Sequence, residues 1–191
     1  MAPKRRRSTQ QRVRPVVQQI VDAMTTPAIV RNSRVDYLSA NALGRALYAP
    51  VFESREQPAN SARFTFLDPA AADFYPDWDR VSSDLVAHLR SEAGRNPYDR
   101  GLSDLVGELS TRSDAFRTRW AAHNVRFHRT GVKRIHHPVV GDLSLSYEAM
   151  ELAADAGLTL SVYTAEAESA SQHALDLLAS WTATPSQEVH R

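Results

Sequence analysis

KRIHHPVVGDLSLSYEAM, Lys133 to Met150, decides how the rest of the chain is read. In its second half Leu143, Leu145, Tyr147 and Ala149 alternate with Ser144, Ser146 and Glu148. A period of two marks a strand with one face buried and one wet. Gly141-Asp142 separates this run from the β-rich Lys133–Val140, so a tight turn there predicts a hairpin. Leu158, Leu160, Val162 and Thr164 alternate again after Asp155-Ala156-Gly157. Three consecutive antiparallel strands are expected within 133–165. An enclosed apolar cavity is expected beside the 143–149 face.

Upstream, Val13, Val16, Val17, Ile20, Val21 and Met24 form a helical stripe that ends before Pro27. Ala28–Val30 and Val35–Leu38 flank Asn32-Ser33-Arg34, which predicts a hairpin over 28–39. Ala40–Tyr48 reads as a helix stopped by Pro50, with Asn41 as its N-cap, and 49–60 as a loop. Pro69 forbids a single helix across 61–75. Helices are expected over Pro76–Gly94 and Asp99–Leu109, then one capped by Ser113 that carries Phe116 and Trp120. Ser169 and Gln172 form a capping box ahead of a last helix bearing Leu175, Leu178 and Trp181. Two strands, a helical insert, three strands and a helix predict an α+β fold: an antiparallel sheet of about five strands with helices packed on one face.

The 191 residues suit one domain, 42% hydrophobic and 24% charged. No apolar run approaches the ~20 residues of a membrane span, and the charged start, MAPKRRRSTQQ, lacks the apolar segment of a secretory signal. The cytoplasm is the expected compartment. With no cysteine, disulfides, thiolate catalysis and cysteine zinc sites are excluded. Six of the basic residues lie within 1–14, where there is no acid; set against the net +1, they leave the remainder at −5. Residues 1–11 read as a disordered basic arm, 12–182 as the folded domain, and 183–191 as a frayed tail.

No nucleophile elbow, phosphate loop or metal-binding histidine pair is present. His136 and His137 are adjacent in a strand and point to opposite faces; His123 and His128, five apart, do the same if extended. No cofactor, metal or catalytic residue is expected, and the protein is read as a non-enzyme. Arg63, set among Phe64 and Phe66, is the best sequence candidate for gripping a carboxylate with its bidentate fork. The bland alternative is a salt bridge to Asp68 or Asp73. One histidine of the pair faces inward, where it meets a hydrogen-bond partner or a ligand carboxylate.

HHPVVGDLSLSYEAM resembles the signature of the MmyB-like (MltR-like) ligand-binding domain of bacterial transcription regulators. RVRPVVQQIVDAM, PAIVRNSRVDYLSAN, ARFTFLDPAAADFYPDW, LVGELSTRSDAFRTRWAAHNV and LSVYTAEAESASQHALDLLASW stand in the family's order, so the resemblance spans roughly residues 12–181. It implies a PAS-like fold and a bound fatty acid or similar apolar small molecule. His137 is the inward histidine it suggests, and Trp120, His123 and Tyr147 match positions in its pattern. The expected ligand contacts are Arg63, Phe66, Trp120, His137, Leu145 and Tyr147. DNA would be reached only through a helix-turn-helix domain, which this chain lacks ahead of the basic arm. Pairing as a homodimer or with a full-length relative is a further expectation. The competing readings are a dimerisation module without ligand, recognisable by a filled core, and an enzyme whose site is assembled from distant residues.

Overall fold

The computed structural model describes residues 12–122 and 130–183. The expected basic arm, most of the expected tail, His123 and His128 lie outside them. Helix α1 (Pro15–Ala23) leads into strands β1 (Ala28–Asn32) and β2 (Tyr37–Ala40). Seven helices follow: α2 (Ala42–Leu47), α3 (Ala49–Glu53), α4 (Ser61–Leu67), α5 (Ala70–Phe74), α6 (Trp78–Arg95), α7 (Arg100–Arg112) and α8 (Asp114–Ala121). Strands β3 (Thr130–His137), β4 (Gly141–Glu151) and β5 (Leu158–Thr164) and helix α9 (Ala170–Ala183) complete the described chain.

The strands form one antiparallel sheet in the order β2-β1-β5-β4-β3. The fold is α+β, with β1 and β5 joining the two ends of the sequence at its centre. Alternation assigns the faces. Ile29, Leu143, Leu145 and Tyr163 meet the helical layer, where Leu47, Phe64, Phe74, Leu175 and Leu178 pack on them. Ala28, Val30, Leu158 and Leu160 point the other way, and α1 covers them with Val17 and Val21. A second helical cluster, away from the sheet, joins Val86, Leu89, Leu102, Leu105, Leu109 and Phe116.

Local chemistry accounts for the joints. Asn41 caps α2 by accepting from the Gly44 N–H at 2.7 Å, and its side chain also binds Ala28 N, Met24 O and Thr26 O. All its hydrogen-bonding capacity is spent on tying α2 to β1. A Cβ on Gly44 would sit 2.5 Å from the Ala28 carbonyl oxygen, so only glycine permits this approach. Asn60 and Ser113 cap α4 and α8, and Ser169 Oγ accepts from Gln172 N at the start of α9. Two expectations need correction. Pro50 does not stop the helix before a loop; it occupies the first turn of α3, where a proline lacks no needed donor. The β3–β4 turn is Pro138-Val139-Val140, and Gly141 opens β4 opposite His137 with φ +77°. A three-residue turn closed by a left-handed glycine is a favoured hairpin connection.

Candidate functional site

Register places the site. Between Val30 and Arg31 the β1–β2 ladder slips, so Ile29 pairs with Ala40 while Arg31 pairs with Tyr37. Residues 37 and 40 differ by an odd number and would normally face opposite ways. The irregularity lets both face the helical layer. On that face Arg31, Tyr37, Ser161, Tyr163, Tyr147 and Lys133 come from all strands of the sheet. With Tyr48, Tyr75, Asp84 and His88 above them they line a cavity of about 90 Å³. It lies at the Tyr147–Ala149 end of the β4 face. The cavity expected beside the 143–149 face is thus found only at that end and with a partly polar lining, because α9 packs Leu175 and Leu178 over Leu143 and Leu145.

The lining is mixed rather than greasy. Lys133, one of the two lysines in the chain, sits 5.5 Å from the Tyr75 ring centroid and 5.9 Å from that of Tyr147. Burial pulls its ammonium down to about 8; Asp84 opposes that shift, and Arg80 and Arg31 add to it. Burial also pushes the phenols of Tyr37, Tyr48, Tyr75 and Tyr163 up, and mutual proximity adds to it for Tyr37, Tyr48 and Tyr75, so all four stay neutral. The Tyr48 hydroxyl, in a residue 1% exposed, makes no well-formed hydrogen bond among the described residues, with the Tyr163 phenol near enough to interact with it. His88 Nε2 lies 2.9 Å from the Ser33 carbonyl, to which it donates, and 3.4 Å from an Arg31 guanidinium nitrogen. Arg31, His88 and Ala149 also border an outer cleft of about 350 Å³, lined further by Glu92, Arg95 and Leu152. Arg31 and His88 therefore stand between an inner cavity and a larger cleft.

The residues singled out from sequence are dispersed. Tyr147 alone of the six lines the cavity. Arg63 is held by the chain itself: Nε donates to Glu108 at 3.0 Å, and its guanidinium lies 3.8 Å from Asp36. Those partners replace the anticipated Asp68 and Asp73. Phe66 packs edge-on against Phe116 and Trp78, and Trp120 stacks on Phe116 under the Arg90 guanidinium, all in the second helical cluster. Leu145 is fully buried in the main core. His137 does face inward and is 2% exposed, but it spends its ring on the fold: Nε2 donates to Ala46 O at 3.0 Å, and the N–H groups of Val139 and Val140 reach Nδ1. His136 points outward to Asp142, so the two histidines face opposite ways. Arg31 was missed because it sits beside the Asn32-Ser33-Arg34 turn, and nothing in the sequence marks the slip that orients β2.

The geometry is a small polar-and-aromatic cavity at the heart of an antiparallel sheet with a helical lid. The family model described as MmyB-like transcription regulator ligand binding domain matches residues 13–178. The chain belongs to this family. No curated protein matches it. Membership makes it a regulatory ligand-binding domain with a small molecule as its partner. Among the described residues no helix is long and apolar enough to cross a membrane, and no three metal-ligating side chains converge.

Proposed function

We propose that this MmyB-like domain senses a small molecule with an anionic head group, held between Arg31 and Lys133, and passes its occupancy to a helix-turn-helix partner domain in the cytoplasm. One observation carries the reading: two cations on the same face of the sheet, from β1 and β3 with β5 and β4 between them, line the same cavity, with Asp84 the acid among its lining residues. An arginine fork and an ammonium at one low-dielectric site suit a carboxylate. No nucleophile or acid–base pair is needed, and the reading is sensing rather than catalysis. It is favoured over a ligand-free dimerisation module because the core is not filled at this place.

A fatty acid is the second reading. It draws on the family resemblance and on the outer cleft, whose about 350 Å³ would take the chain while the carboxylate stays at Arg31. Arg63, Phe66, Trp120 and Leu145 have no part in either version. Native mass spectrometry of the protein purified from cells, followed by extraction of what it carries, tests the proposal. An acidic small molecule retained by the unmodified chain and lost from Arg31→Gln is the expected result. Retention of a neutral lipid by both would overturn the anionic head group.

A further inference from the structure

We infer that the inner cavity is built for a short-chain carboxylate bearing a second oxygen, a hydroxy or keto acid of a few carbons. This rests on the anion-sensing reading above and adds the ligand's size and its second polar group. Size comes first. At about 90 Å³ the cavity is smaller than the ~150 Å³ hole that accepts a benzene ring. A compact acid fits this space, whereas a long chain needs the outer cleft or a displaced wall.

The second oxygen follows from Tyr48. Its ring is locked: it lies 5.8 Å from Tyr37, 5.9 Å from Phe74 and 5.4 Å from Tyr163, centroid to centroid. Yet its buried hydroxyl makes no well-formed hydrogen bond among the described residues, although the Tyr163 phenol lies near enough to interact with it. A buried polar group left unmatched costs free energy that a phenylalanine at the same place would avoid. Burial keeps the phenol protonated, so it can both donate and accept. A ligand hydroxyl or carbonyl beside it would satisfy that group, while the carboxylate pairs with Arg31 and Lys133. An alkyl chain would leave the hydroxyl unmatched. The cavity thus distinguishes acids by what they carry next to the carboxylate.

Entry is from the outer cleft. Arg31 and His88 border both spaces and lie 3.4 Å apart. A carboxylate arriving there meets the guanidinium first. His88 is held back by the Ser33 carbonyl at 2.9 Å, which leaves the arginine fork to the ligand.

The test is calorimetric titration of the full chain with four probes: lactate, propionate, propane-1,2-diol and decanoate. Lactate should bind about tenfold tighter than propionate, the worth of one good hydrogen bond, and the diol should not bind. Tyr48→Phe, which keeps the ring contacts, should bring lactate down to propionate. Arg31→Gln should weaken both acids about 10- to 100-fold. Because the lactate-to-propionate comparison is made on the unmodified chain, it decides the second oxygen even if a variant folds poorly. Equal binding of those two overturns it. Decanoate binding tighter than lactate overturns the compact class and leaves anion sensing standing. Silence from all three acids overturns both.

Discussion

The Lys133 ammonium lies 5.5 Å from the centre of the Tyr75 ring, inside the sheet's helical face rather than in solvent. An ammonium over an aromatic face is attracted to the ring, but the attraction does not replace its lost water. Burial therefore lowers its proton affinity to about 8. The groups that face it are Tyr75 after α5, Tyr147 on β4, Asp84 and Arg80 on α6, and Arg31 on β1. The tyrosines stay neutral, so Lys133 is the group whose charge changes just above neutrality. It is protonated below about pH 8 and can then hold an anion. Affinity for a carboxylate should be flat from pH 6.5 to 7.5 and fall as pH rises through 8. Titrations across pH 6.5–9.5 would check this. Lys133→Met should bind more weakly at pH 7 and lose the decline.

Arg31 and Arg63 make a matched pair of opposites. Arg63 bonds to Glu108 and lies beside Asp36, and its side chain is 17% exposed. Arg31 has its guanidinium at the mouth of the cavity beside His88. Arg63→Gln should lower the free energy of unfolding by about 1–3 kcal/mol, the range for a charged hydrogen bond, with ligand affinity unchanged. Arg31→Gln should do the reverse. Denaturant titration and ligand titration of both variants separate the roles. Weakened ligand binding in Arg63→Gln would return that arginine to the site.

The acid that holds the entry to α4 sets a third expectation. Asp36 accepts from Asn32 Nδ2 at 2.8 Å and Asn60 Nδ2 at 2.7 Å, and it lies 3.3 Å from Arg34 Nε. Asn60 meanwhile caps α4 through Ala62 N and Arg63 N. Removing the carboxylate takes an acceptor from two amides and a neighbouring charge from two guanidinium groups, although Asn60 keeps the Arg34 carbonyl, Arg34 keeps Asp99 and Arg63 keeps Glu108. Asp36→Ala should cost about 3–5 kcal/mol, as expected when one partner of a buried charged network is lost. Asn60→Ala, which also loses the cap, should cost about 2–4 kcal/mol. Urea melts monitored by circular dichroism would measure both, and losses below 1 kcal/mol would show the network to be incidental.

Much of the fold was legible because it rests on local rules. The alternation of Leu143, Leu145 and Tyr147, the Asn41 and Ser113 caps, and the break at Pro69 each follow from a few neighbouring residues. The site was less legible because it rests on long-range register. Tyr37 enters the cavity only because of the slip beside Arg31, and Lys133 meets Tyr75 only once β3 is paired and α5 packed above it. Aromatic neighbours drew attention to Arg63, and the family pattern to Trp120. Such clusters also describe helix packing, and that is what Phe66, Phe116 and Trp120 do here. Arg31 carried no such signature in the sequence.

His137 supplies the last prediction. The ring is fixed as one neutral tautomer: Nε2–H donates to the Ala46 carbonyl at 3.0 Å, while Nδ1 accepts from the Val139 and Val140 N–H groups at 3.2 and 3.4 Å. A proton on Nδ1 would confront two donors. Burial lowers the ring's proton affinity below its ordinary 6.5, and the Ala46 bond opposes the shift only in part. The unfolded chain therefore binds the proton more readily than the folded one. Its contribution to stability is complete above pH 6.5 and is lost as pH falls from there through the lowered folded value. The hairpin would loosen from α2 in that window, because Ala46 belongs to that helix. The melting temperature should be steady from pH 8 to 7 and drop below 6.5. His137→Gln should be less stable by about 1–3 kcal/mol at pH 7.5, from the buried hydrogen bonds it disturbs, and its acid-side slope should be shallower than that of the unmodified chain. Identical slopes for the two proteins would assign the acid sensitivity to the carboxylates instead.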